Sequence, residues 1–146
     1  MRLQLIPLAI LGLALPLAAH HGDAGRYEEE STVITGTVVE LQLIVPHSII
    51  VLAVTDANGK TVNWQAELGS RPIMTRDFGW TKDTLKQGDR VTLTGRKVKS
   101  GAPYMNLTER ASVVLTDSGK EIFRTGTNGG DAGPAPAAKP PAAGKQ

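Results

Sequence analysis

The chain contains no cysteine. That excludes disulfide cross-links, thiolate metal ligands and a cysteine nucleophile, so any folded body must be held by its own apolar core. Aromatic residues are scarce, with two Trp, two Tyr and two Phe making up 4% of 146 residues. Trp64 and Phe78 are therefore expected in that core, where they bury the most area. Charge is nearly balanced, at a formal +2, and the one clustered basic run, Arg96-Lys97-Val98-Lys99, reads as the solvated tip of a hairpin. Without a concentrated basic face, nothing favours a nucleic-acid partner, and none is expected. Enzyme signatures are missing too. No Gly-rich phosphate loop, Gly-x-Ser-x-Gly elbow or His-Glu-x-x-His stands in the sequence, so a binding module is expected rather than an enzyme.

What the chain does have begins at its N-terminus. Arg2 supplies a positive start, and residues 3–17 form an apolar run broken by Gln4, Pro7, Gly12 and Pro16. A membrane span needs about 20 apolar residues, so residues 1–19 read as a cleaved signal peptide, with no stable span after cleavage. The mature protein is then expected to be exported, periplasmic or secreted. Cleavage after Ala19 leaves His20 as the first residue, followed by His21 and Gly22. A cut after Ala18 would give an Ala-His-His terminus, which binds copper or nickel through backbone amides. A cut after Ala24 would remove both histidines.

Residues 20–30, with Gly22, Gly25 and the Glu28-Glu29-Glu30 run, are expected to be a flexible lead-in. From Ser31 the character changes. Val33, Thr35, Thr37, Val39, Leu41, Leu43 and Val45 alternate along one expected face of a strand, and Gly36 suggests a bend or bulge within it. Residues 48–55 are apolar on both faces and read as a central strand. Asp56-Ala57-Asn58-Gly59 is a turn signal, with positive φ expected at Asn58 and Gly59. Val62, Trp64, Ala66 and Leu68 then share one face of a returning strand, and Asn63, Gln65 and Glu67 the other.

Ser70 is placed to cap a short helix with Pro72 near its start and Ile73, Met74 and Phe78 facing inward. Further strand signals lie at residues 91–95, 104–107, 111–115 and 121–124. Three strands, a helical connection and two further strands is the order of an OB-fold. The expected fold is all-β: a small OB-like β-barrel of five to six strands over residues 31–124, with one short helix after the third strand, preferred over an open sandwich of two small sheets that would show the same alternation. Residues 125–146, rich in Gly, Ala and Pro, cannot build a core and read as a disordered tail.

Several short motifs coincide in this frame: His20-His21, Gly36-Thr37-Val38, Pro46-His47-Ser48, Trp64 with Glu67, Gly79-Trp80-Thr81 and Leu85-Lys86-Gln87-Gly88-Asp89-Arg90-Val91. In order and spacing the chain resembles a family of small exported bacterial proteins of unknown function, over about residues 18–124. Val45 is a departure, standing where that family often carries Asn. The resemblance implies an exported β-domain and brings no activity with it.

His20, His21 and His47 are the only histidines. The α-amine and Nδ1 of an N-terminal His20 can chelate one ion, and an imidazole from His47 would complete the three nitrogens of a histidine brace, which suits copper(II). His21 could replace either imidazole. Against this stands the plainer reading of exposed N-terminal histidines and a loop His47. Met105 is either a soft ligand for copper(I) or core packing. Glu67 and Trp80 are candidates for a ligand groove, with a solvent-facing Glu67 paired to Arg71 or Arg76 as the simpler alternative. The sequence thus carries two expectations: copper binding through the mature N-terminus, or a metal-free module that binds an envelope protein or small ligand through its groove and loops.

Overall fold

The computed structural model describes residues 25–126. Among these the strands are β1 (Thr32–Gln42), β2 (Ile49–Thr55), β3 (Thr61–Glu67), β4 (Arg90–Lys97), β5 (Tyr104–Asn106), β6 (Ser112–Leu115) and β7 (Lys120–Arg124), with one helix, α1 (Arg71–Phe78), after β3. β1, β2 and β3 form an antiparallel meander. β3 then pairs in parallel with β5, β5 pairs antiparallel with β4, and β4 returns to β1. Five strands therefore close into the expected small OB-like barrel, and β6 and β7 extend it beside the N-terminal half of β4.

Local chemistry sets the hairpin between β2 and β3. Asp56 Oδ1 accepts from the backbone N–H of Asn58 and of Lys60, and Gly59 takes φ +79°. Asn58, expected to share the positive φ, does not, because the Asp56 carboxylate already organises the turn. The seven register pairs from Ile49↔Glu67 to Thr55↔Thr61 follow. They turn Ala66 and Leu68 fully inward, with Val62 and Trp64 half-buried on the same face.

β1 departs from its expected phase. Val33 is 62% exposed and Val39 points outward, while Ile34, Gly36 and Val38 face the interior. The pairing with β2 shifts register between Val38 and Glu40. That bulge reverses the alternation, so Leu41 and Leu43 do pack on the core as expected. The bulge lies beyond Gly36, whose role is close approach: a Cβ there would sit 2.8 Å from the Ala53 carbonyl oxygen. Gly95 in β4 is tighter still, with Asn106 O and a Leu107 methyl each 2.6 Å from where its Cβ would lie.

The core joins Ile50, Leu52, Ala66, Leu68, Leu93, Met105, Leu107 and Val113 to α1 through Met74. Ser70 stands at the N-cap without a side-chain cap bond, Pro72 fits the first turn, and Gly79 ends the helix at φ +67°. Ile73, expected to face inward, is 40% exposed; an eight-residue helix laid on the barrel presents Met74 to it, and Ile73 lies about 100° around the axis from Met74. Trp80 is buried, its Nε1 donating to Ile122 O at 3.2 Å and its ring edge-on to Phe123.

The folded body begins before Ser31. Tyr27 is 2% exposed and bridges Val98, while Glu28 N donates to Lys97 O and Lys99 N to Arg26 O. This docking also changes the reading of the basic run. Val98 is buried, and Arg96 pairs with Glu109 at 2.7 Å and lies over the Tyr27 ring, leaving Lys99 as its exposed member. At the other end Thr125 exchanges two hydrogen bonds with Ala111.

Candidate functional site

The β2–β3 ladder continues past its named strands: Leu68 N donates to Ser48 O, and Ser48 N to Gly69 O. His47, in the β1–β2 connection after the cis Val45–Pro46 peptide, is thereby set beside the end of β3. Glu67 is the register partner of Ile49 and, on its strand, alternates away from the buried Ala66 and Leu68. The parallel pairing of Gln65 with Tyr104 brings a third side chain to the same place.

These three side chains form a relay. His47 Nδ1 lies 3.5 Å from Glu67 Oε1, and the Tyr104 hydroxyl donates to Glu67 Oε2. The His47 side chain is 52% exposed and that of Glu67 only 12%. The carboxylate is thus largely withdrawn from water and engaged on both oxygens, while the imidazole stays half exposed. Burial pushes the Tyr104 phenol above its ordinary pKa, and the hydrogen bond to Glu67 and the charge of that carboxylate add to the effect. Tyr104 therefore serves as a donor throughout the physiological range.

The N-terminal segment arrives at this cluster. The Arg26 guanidinium stands 5.6 Å from the centre of the Tyr104 ring and 5.5 Å from that of Tyr27, a stacked arrangement typical of cation–π contact. Contacts thus run from Arg26 through Tyr104 and Glu67 to His47. Tyr104 was readable in the sequence only as a possible groove-lining aromatic and Arg26 did not stand out; a Tyr at the head of the Glu28-Glu29-Glu30 run was the available signal.

A cleft of about 380 Å³ opens on the other flank of His47, lined by Pro46, Ile73, Met74, Phe78 and Phe123 among others. A second, of about 420 Å³, lies between Leu41, Leu43, Arg71 and Trp80.

Of the candidate residues, then, the fold brings His47 and Glu67 together. His20 and His21 lie outside the described residues. Trp80 is core that borders the second cleft, and Met105 is fully buried in the core. Glu67 is held by His47 and Tyr104, whereas Arg76 grips Asp77 at 2.6 Å and draws the Asp77 carboxyl below its ordinary range. Among the described residues no group of three or more His, Asp or Glu is placed to hold a metal ion. No helix among them is long and apolar enough to cross a membrane.

The fold defines the class of protein: a small all-β domain built on a closed five-stranded barrel with two extra strands and one short helix. The chain belongs to a family of unknown function (DUF6152), whose model matches residues 9–105. No curated protein and no solved structure matches it. The matched span takes in His20, His21, His47, Glu67 and Tyr104 and reaches into β5, while β6 and β7 lie beyond it.

Proposed function

We propose that this protein is an exported metal-binding module that holds copper between His47 and a mature N-terminal His20, with His21 as an alternative imidazole. The observation that carries the reading is the anchoring of Arg26 and Tyr27 beside Tyr104 and Glu67. His20 precedes Arg26 by about six residues, a reach of roughly 20 Å when extended, and Arg26 is linked to His47 through its contact with Tyr104 and the contacts of Tyr104 and His47 with Glu67.

Two further features support it. A ligating histidine ordinarily turns its second ring nitrogen toward a carboxylate, which fixes the tautomer and strengthens the ligand; Nδ1 of His47 faces Glu67 in this way. The donor set of one amine and two imidazoles matches the preference of copper(II) for nitrogen in a tetragonal plane. Since the described residues offer no complete site, the N-terminal nitrogens are indispensable to the reading. The proposed role is metal handling or sensing in the cell envelope.

The test uses protein exported by its own signal. Its intact mass establishes the first residue, and copper(II) titration with electron paramagnetic resonance then compares it with His47→Ala. A chain starting at His20 whose spectrum changes in the variant is the expected result. A chain starting at Gly25, or a spectrum indifferent to His47, overturns the reading and returns function to the metal-free alternative.

A further inference from the structure

The cleft of about 380 Å³ beside His47 has a property the metal reading leaves unused. Its apolar lining comes from Pro46, Ile73, Met74, Phe78 and Phe123, with His47 beside them. The Phe78 and Phe123 rings stand 4.7 Å apart and tilted at 46°. No lysine, arginine or carboxylate lines it. Ile73, on the face of α1 that opens here, is left 40% exposed.

The chain's own path says what fits. Thr125 lines the cleft, and Gly126 is tied by its carbonyl to Arg110 N, so the segment that follows departs from the cleft's edge. About twenty residues follow. They include Pro134-Ala135-Pro136-Ala137-Ala138 and, after Lys139, Pro140-Pro141. Proline-rich chain is biased to the polyproline II conformation, which docks in apolar, aromatic-lined grooves at small ordering cost. About eight residues link Gly126 to Pro134, a root-mean-square span of roughly 15 Å, and such tethers give millimolar effective concentrations. A weak groove is then enough.

We infer that this cleft is the docking surface for the chain's own segment 134–141, held in extended form against Ile73, Phe78 and Phe123. The inference stands without any metal, and its test uses none.

The absence of cysteine makes the experiment direct, because Lys139→Cys creates a unique labelling site. A nitroxide at that position in the full chain should quench the nuclear resonances of Ile73, Met74 and Phe78 and spare Asn58 and Gly59 at the far hairpin tip. Mere tethering also brings the label near the cleft. The control therefore replaces Pro134, Pro136, Pro140 and Pro141 with Ser in the labelled chain, and quenching at Ile73 should fall at least twofold. Equal quenching in both chains overturns the inference. Quenching that arises only between labelled and unlabelled copies also overturns it, and assigns the cleft to a second molecule.

Discussion

His47 and Glu67 meet because β2 and β3 stay in register to their last pair: Ile49 opposite Glu67 places the Nδ1 of His47 3.5 Å from Oε1, with Tyr104 holding Oε2. The carboxylate is the hub, and its two neighbours depend on it differently. Glu67→Gln keeps an oxygen for the Tyr104 hydroxyl but removes the charge that His47 faces. Loss of such a partner typically costs 10- to 100-fold in metal affinity. Copper(II) affinity of the exported protein should fall about tenfold in this variant with the denaturation midpoint little changed. Unchanged affinity would show that His47 takes its orientation from something else.

Barrel closure rests on Gly95. A Cβ there meets the Asn106 carbonyl oxygen and Leu107 at 2.6 Å, and the backbone contact cannot be relieved by a rotamer change. Gly95→Ala should cost about 3 kcal/mol, the upper range for overpacking. Gly101→Ala is the comparison, since its Cβ would enter open space and only the strain of φ +79° applies, about 1 kcal/mol. Denaturant unfolding of the two variants gives the difference directly, and equal losses would contradict the close-approach account.

Much of the barrel was legible in the residues, for physical reasons that also mark where legibility stopped. The Asp-Ala-Asn-Gly turn and the alternation from Val62 to Leu68 are local signals, and the structure follows both. The OB-like sequence of elements followed from the helix inserted after the third strand. The phase of β1 did not, because both faces of Val33 to Val39 carry branched apolar side chains, and only the pairing with β2 reveals the bulge. Trp80 follows a glycine in a loop, and nothing local announces that Phe123 and the Ile122 carbonyl will receive its ring. At the site, His47 was visible as one of three histidines. Its contact with Glu67 depends on a cross-strand register, and Tyr104 joins through a parallel pairing nearly forty positions away. Non-local pairings of this kind leave no periodic trace in the chain.

Tyr104 gives the protein a particular response to alkali. Its phenol is held above the ordinary pKa in the folded state, chiefly by burial and then by Glu67, whereas in the unfolded chain it titrates near 10. Below about pH 10 both states keep the proton and the contribution of this group is fully present. As pH rises past that value the unfolded chain releases the proton first, so stability is lost. Tyr104→Phe should therefore show a shallower decline between about pH 9 and pH 11 in denaturant titrations. Identical slopes for the two proteins would mean the phenol ionises as freely in the fold as outside it.

Tyr27 ties stability to the proposed metal site. Its ring is 2% exposed between Arg26 and Arg96, and truncating a buried aromatic of this size costs about 3 kcal/mol. The same change should release the N-terminal segment back toward Thr32, where β1 begins. The tether from His20 then grows from about seven residues to about twelve, and effective concentration falls as roughly the three-halves power of length. Copper(II) affinity should drop two- to threefold in Tyr27→Ala, far less than the loss in His47→Ala, because the ligands survive and only their pre-positioning is lost. Arg26→Ala, which leaves Tyr27 in place, should weaken copper binding less than either while keeping the native denaturation midpoint. A Tyr27→Ala protein that remains folded and binds copper at undiminished affinity would show that anchoring at Arg26 and Tyr27 does nothing to bring His20 to His47.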